Sequence, residues 1–193
     1  MATKVDASLV TVGQPTEGGC AYICFGEAAK LPTDATTDIS TLTDFESLGY
    51  ISENGITESM SLTVNKHGEW GGKTILTTIS KQEGAVKAEF EEINRGTVAK
   101  IRYGKDNVTV GTDGSVKSIK EGALPYQEYA LVLDELECNG SLRRTVYPRI
   151  AIESFDDIAH QKGSLMVYGM TFTKLFDNEG NSAYVYRGTV STS

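Results

Sequence analysis

Two stretches of alternating apolar and polar residues, separated by a glycine-rich break, constrain the fold of this chain most strongly. In residues 56–64 the apolar side chains fall on one face and Thr and Ser side chains on the other. The alternation stops at residues 68–72, which hold three glycines, and resumes in residues 74–80. A period of two is typical of β-strands, so the two stretches predict a long antiparallel hairpin. Because few large apolar side chains back it, we expect it to project from the body and to expose strand edges to which another chain can pair.

Beyond this hairpin the pattern predicts one half-buried strand and then one short helix. Residues 86–91 alternate apolar with charged side chains. Val98 and Ile101 lie three apart, which places them on one face of a helix. We predict Asn94 as the N-cap of this helix and Gly104 as the residue that ends it.

The C-terminal half reads as a series of further antiparallel strands joined by turns. A turn at residues 112–114 predicts a small hairpin, and the strand made by Met166, Tyr168, Met170 and Phe172 should contribute to the core. The other predicted strands span residues 128–138, 143–155 and 183–190. Strands at this spacing predict a mainly β fold, a β-sandwich or open barrel of antiparallel strands with one short flanking α-helix.

The length of 193 residues suits one domain. We place the β-sandwich core in residues 45–190. Residues 1–44 are rich in Thr, Gly, Asp and Ala and are predicted to form an extended N-terminal arm with peripheral strands at residues 8–12 and 21–25.

The overall charge argues against general affinity for nucleic acid. The formal net charge is −8, whereas binding to phosphates depends on clustered Lys and Arg. No stretch has the length of a membrane-spanning helix and no secretory signal opens the chain, so no membrane partner is expected. The three cysteines, Cys20, Cys24 and Cys138, are too few for a disulfide scaffold and suggest free thiols in a reducing cytoplasm.

The residue pattern offers little for catalysis, metal binding or cofactor binding. Both histidines, His67 and His160, fall in predicted loops without the nucleophile and orienting carboxylate of a catalytic triad. Cys20 and Cys24 lack the second ligand pair of a zinc site. We therefore expect no enzyme activity, no metal and no cofactor.

Acidic residues cluster on several predicted strands, and they permit four interpretations. If the strands are neighbours, one sheet face carries a field of carboxylates that includes Glu89, Glu91, Glu135 and Glu137. Paired carboxylates can act in a glycosidase cleft or bind calcium. They can also form a plain solvated face, or line a channel.

Several segments, taken in order, resemble one known family. Residues 48–59 combine a Leu-Gly-Tyr turn, an acidic Ser-Glu-Asn-Gly turn and a Thr-Glu strand, and Trp70 provides an aromatic residue in the long hairpin. Residues 89–104 are similar to the strand and helix of the same family, and residues 144–157 and 164–177 to its closing strands. Together these segments resemble the major tail tube protein of long non-contractile-tailed, siphovirus-like bacteriophages.

The resemblance implies a structural virion protein that self-assembles into stacked hexameric rings, a tail tube through which double-stranded DNA is ejected. Glu89, Glu91, Glu135 and Glu137 would then face the lumen and repel the DNA, which passes without specific binding. Contacts between subunits and rings would involve residues of the hairpin region: Tyr50, Thr57, Thr63, Trp70 and Thr77. Further implied partners are the tape measure, tail terminator and distal tail proteins, with assembly in the host bacterial cytoplasm.

Other functions remain open at this stage. Tubes of contractile tails and secretion systems share such a pattern. A soluble β-sandwich module that binds carbohydrate or protein is the alternative from another class, and it would need an aromatic or apolar patch at its loop tips. An enzyme that uses the carboxylates would need a convergent pocket.

Overall fold

A computed structural model describes residues 10–16, 19–28, 30–138 and 140–189 of the chain. Within them it confirms a mainly β fold of antiparallel strands with one α-helix. The strands are β1 (Gly13–Pro15), β2 (Ala21–Phe25), β3 (Glu46–Ser47), β4 (Ile51–Gly68), β5 (Thr74–Phe90), β6 (Val108–Val110), β7 (Val116–Ile119), β8 (Glu128–Glu137), β9 (Ser141–Phe155), β10 (Tyr168–Lys174) and β11 (Tyr184–Thr189). The helix α1 spans Gly96–Tyr103, and short 3-10 helices lie at Ile39–Thr41 and Lys105–Asn107.

One antiparallel sheet carries most of the strands. Its order is β3-β2-β8-β9-β10-β5-β4, with β1 paired to β8 and β11 paired to β9. Strand β9 is long enough to pair along one edge with β8 and along the other with β11 first and β10 afterwards. The strands β6 and β7 form a separate small hairpin.

The sheet folds around one main hydrophobic core. Strands β2, β5, β8, β9 and β10 all contribute to it, and Tyr147, Phe90 and Phe172 are its largest fully buried side chains. Helix α1 covers this core with Val98 and Ile101, as the sequence predicts. A second, smaller cluster around Val132 and Val146 fills the opposite face of β8 and β9.

The N-terminal region is more integral to the fold than expected. Strand β2 lies between β3 and β8, and Ile23 is completely buried, so residues 21–25 are core and not peripheral. The strand expected at residues 8–12 is also shifted. Residues 8 and 9 lie outside the described residues, residues 10–12 are not strand, and β1 begins at Gly13.

Two local expectations need correction, and one is confirmed. Arg95, not Asn94, precedes the helix, and Arg95 makes no side-chain capping bond. Gly96 opens the helix, and a Cβ there would lie 2.8 Å from Val110 of β6, so the close approach favours glycine at this position. Gly104 ends it with a positive φ of 89°, as predicted.

The strand expected to begin at Met166 begins two residues later. Met166 precedes β10, which begins only at Tyr168.

The helices of the described chain were compared with the length and hydropathy that a membrane-spanning helix needs. Within the described ranges, every helix is too short or too polar to cross a bilayer.

Candidate assembly surface

The strands β4 and β5 run well beyond the body of the protein. Every residue from 57 to 83 is exposed, and we call this segment the free hairpin. A tight turn closes it, in which the Glu69 amide donates to the Lys73 carbonyl and the Gly72 amide to the Glu69 carbonyl, both at 2.9 Å. Ser80 is an extra residue in β5, and its hydroxyl donates to the Thr63 carbonyl at 3.2 Å. The projecting hairpin predicted from the alternation is therefore present and longer than the pattern suggested.

One face of the free hairpin continues the core-facing side of the sheet. The register pairs Met60 with Gly84 and Val64 with Ile79, in line with the buried residues Val86 and Ala88 closer to the body. Beyond the body, no other element of the described chain covers this side. We call it the apolar face, and it consists of Met60, Leu62, Val64, Ile75 and Ile79, between 42% and 68% exposed.

The opposite face is polar apart from Leu76 near the turn, and it carries charges of both signs. Threonine, serine and asparagine side chains of β4 share this face with Lys81 and Glu83 of β5, which form an ion pair. Lys87 and Glu89 extend it onto the body, where Lys87 pairs with Asp156 at 2.7 Å. We call this side the polar face.

The five predicted contact residues are all exposed, but they do not share one surface. Thr57 and Thr63 lie on the polar face, whereas Thr77 pairs with Lys66 and lies on the side of the apolar face. Trp70 is fully exposed in the turn, and Tyr50 lies just before β4, 71% exposed.

Glu89 lies on the polar face, and part of its carboxylate is engaged in hydrogen bonds. Its Oε2 accepts hydrogen bonds from Ser52 Oγ at 2.8 Å and Asn54 Nδ2 at 2.9 Å. These bonds, from Asn54 first and Ser52 second, lower the pKa of the Glu89 carboxyl. They bridge the irregular stretch of β4 between Ile51 and Ile56. Glu91 follows the end of β5 and is half-exposed.

The structure does not bring the four predicted carboxylates onto one face. Strands β5 and β8 are separated by β9 and β10. Glu135 and Glu137 belong to the side of β8 that carries core residue Leu133, whereas Glu89 points away from the core. Glu137 is only 3% exposed, beside Arg187 at 3.2 Å, and Glu135 pairs with Arg143 at 3.0 Å. Glu137 is therefore withdrawn as a lumen-facing residue, since a lumen-facing carboxylate must be reachable by solvent.

The other chemical groups remain scattered. In the part of the chain that the structure describes, no three His, Cys, Asp or Glu side chains converge as metal ligands. His67 lies on the free hairpin, its Nε2 3.5 Å from Thr78 Oγ1. Cys20 and Cys24 are buried, and burial raises the pKa of both thiols.

Sequence reasoning identified the alternation but did not select the apolar face as a site. The signal was available, because Met60, Leu62 and Val64 stand on one side of a strand that was already expected to project. The contribution of β5 was hidden, since the extra residue Ser80 shifts the alternation and only the register aligns Ile79 with Val64.

The fold and this surface together define a class: a β-sheet protein with a long exposed hairpin whose apolar face has no cover within the described chain. The chain belongs to the phage tail tube protein family, whose profile matches residues 19–190. It is thus a structural protein of the phage tail. The match also includes β2, in agreement with its place in the core.

Comparison with solved structures gives remote likenesses over nearly full lengths. The tube-terminating cap of the anti-feeding prophage has 8% identity and a TM-score of 0.39, covering 96% of this chain and 98% of that chain. The baseplate structure of the same particle has 7% identity and a TM-score of 0.36, covering 94% and 100%. The PVC sheath-tube complex of an extracellular contractile injection system has 10% identity and a TM-score of 0.34, covering 97% and 100%. Curated protein sequences gave no match.

Proposed function

We propose that copies of this chain associate through the free hairpin into closed rings, and that the rings stack into the tube of a phage tail. The apolar face of the hairpin carries this proposal, because it continues the core side of the sheet and leaves five large side chains in water. Membership of the tail tube family supports a second copy as the occupant of this face.

The energetics of this face favour association. Full burial of a Val, Leu, Ile or Met side chain contributes about 1.5–3 kcal/mol. Five half-exposed side chains therefore offer several kcal/mol, which acts against the entropy lost on association. The free edge of β4 adds backbone donors and acceptors that a neighbouring strand can satisfy. A contact between a hairpin and a different part of the next copy is heterologous, and it yields a ring when the rotation closes. We propose six copies in each ring.

The polar face is the side we assign to the lumen. Glu89 and Glu91 stay in that assignment, and the net charge of −8 favours a wall that does not retain DNA phosphates. Lys81 and Lys87 on the same side make the face mixed rather than purely acidic. Glu135 lies on the core-facing side of β8 and pairs with Arg143, so we leave it out of this assignment.

The wider role follows from these assignments. We propose that the tube conducts double-stranded DNA during ejection and is built in the host bacterial cytoplasm. Tape measure, tail terminator and distal tail proteins are the proposed partners at its interior and its ends. The role is one of assembly and needs no catalysis. Tyr50, Trp70 and Thr77 remain proposed contact residues between copies, whereas the assignment of the polar face to the lumen takes Thr57 and Thr63 out of that set.

The decisive test is negative-stain electron microscopy with sedimentation velocity on the concentrated protein and two matched variants. The double variant Leu62→Glu and Ile79→Glu places charges on the apolar face, and we expect it to abolish rings and tubes. The control, Ser61→Glu and Thr78→Glu, places the same charges on the polar face and should still assemble. Equal assembly of both variants would refute the role of the apolar face, and a wild-type protein that stays monomeric would refute self-assembly.

A further inference from the structure

Lys174 occupies an unusual position at the base of the free hairpin. It is the last residue of β10, and it follows Tyr168, Met170 and Phe172 on the core-facing side of that strand. Its side chain is only 7% exposed. An ammonium group so far out of water needs a close partner to offset its lost hydration.

The partners of Lys174 come from two other strands. Its Nζ lies 3.3 Å from Glu58 Oε2 on β4 and 5.1 Å from the centre of the Tyr147 ring on β9. Glu58 directly precedes Met60 on the same side of β4. Met60 is the first residue of the apolar face. Lys174 therefore connects the body to β4 at the residue on that side just before the apolar face begins.

A glycine makes room for this connection. A Cβ built on Gly84 of β5 would lie 3.0 Å from Lys174 Cδ and 3.3 Å from the Ser59 carbonyl oxygen. The lysine stem therefore passes over Gly84 to reach Glu58 on the next strand. It spans both strands of the hairpin at the boundary between buried Val86 and exposed Met60.

We propose that Lys174 is a positioning residue that fixes the direction in which the free hairpin leaves the body, and so aims its apolar face at a second copy of the chain. This inference rests on the proposed function. A two-stranded ribbon twists and bends easily on its own. From Glu58 to Trp70 it extends about 40 Å at the usual rise of a strand, so a change of about 10° at its base moves the turn by about 7 Å.

The first arm of the test uses dilute, monomeric protein and does not depend on assembly. In Lys174→Met we expect amide exchange at the hairpin base, residues 57–62 and 82–86, to accelerate about tenfold, with no change in β8 and β9. The anisotropy of Trp70, the single tryptophan of the chain, should fall. Lys174→Arg should restore both values, which a mere loss of packing would not explain. Glu58→Gln, which retains the lysine stem, should loosen the base in the same way and replaces Lys174→Met if that variant does not fold.

Lys81→Met is the matched control, because its ion pair with Glu83 lies on the free hairpin itself, with side chains 61% and 54% exposed. It should alter neither exchange at the base nor anisotropy. Unchanged exchange in both Lys174→Met and Glu58→Gln would overturn the inference, even if wild-type rings form.

The second arm measures the rate of ring formation by light scattering. We expect Lys174→Met to assemble at least about tenfold more slowly than wild type, because fewer collisions find the hairpin correctly aimed. Normal assembly with a loosened base would overturn the link to assembly. If the wild-type protein forms no rings and the hairpin base still loosens in Lys174→Met, the proposed function is refuted. The positioning role of Lys174 then stands by itself.

Discussion

The strands β4 and β5 pass through two environments, the body and the free hairpin, with the same backbone pairing in each. Near the body, their inward side chains Val86, Ala88 and Phe90 are at most 5% exposed and belong to the main core. Further out, Met60 and Ile79 on the same side are 65% and 62% exposed. Sheet pairing alone therefore does not decide burial. What differs is the cover from the rest of the body, because side chains of β8, β9 and α1 share a core with the inner half of the strands only.

The largest expected difference between the two regions concerns stability. Phe172→Ala in the core should lower the free energy of unfolding by about 4 kcal/mol, because it removes a large buried side chain and leaves a cavity. Leu62→Ala on the free hairpin should change it by less than about 0.5 kcal/mol. Urea denaturation of dilute protein measures both. A large loss for Leu62→Ala would show that the hairpin is already covered in the monomer.

Ion pairs should show the same contrast with a somewhat smaller effect. In the body, Arg144 is 3% exposed, holds Asp134 with two bonds of 2.6 and 2.7 Å, and donates to the Asp34 and Thr37 carbonyls. Asp134→Ala leaves this guanidinium without its counter-charge and should cost about 3 kcal/mol.

The matching change on the free hairpin is Glu83→Ala, which removes an exposed partner of Lys81 and should stay within about 0.5 kcal/mol. Thermal and urea unfolding of the two variants compare them directly. Equal losses in the free energy of unfolding would contradict the solvent exposure of the Lys81–Glu83 pair.

The smallest effect concerns Glu89, at the body end of the polar face. Hydrogen bonds from Asn54 and Ser52 hold the pKa of its carboxyl below the ordinary 4.5. Because the folded pKa is lowered, these bonds add stability above pH 4.5 that is lost as the pH falls through the folded value. Asn54→Ala should raise the pKa of Glu89 toward 4.5 in a carboxyl-carbon NMR titration. Asn65→Ala, farther out on the polar face, should leave it unchanged, and a common shift in both variants would contradict the assignment.

Prediction from sequence succeeded where one local signal dominated. The period of two identified β4, β5 and the core positions Tyr168, Met170 and Phe172, because alternation and burial coincide there. It failed for the helix start, where long-range backbone hydrogen bonds hold the chain: the Val116 amide donates to the Asn94 carbonyl and the Gly96 amide to the Gly114 carbonyl. It also failed for the carboxylates of β8, because strand order is a long-range property that places β9 and β10 between them and Glu89.

The amino-acid sequence by itself determined the class of fold, the long hairpin and the polar character of one of its sides, since these depend on alternation, turn residues and charge along short segments. Only the tertiary structure decided that β2 is a core strand, that Glu137 is buried beside Arg187, and that Lys174 reaches across Gly84 to Glu58. The physical reason is that these features arise from contacts between residues far apart in the chain. Their energy depends on which strands become neighbours and not on the local pattern.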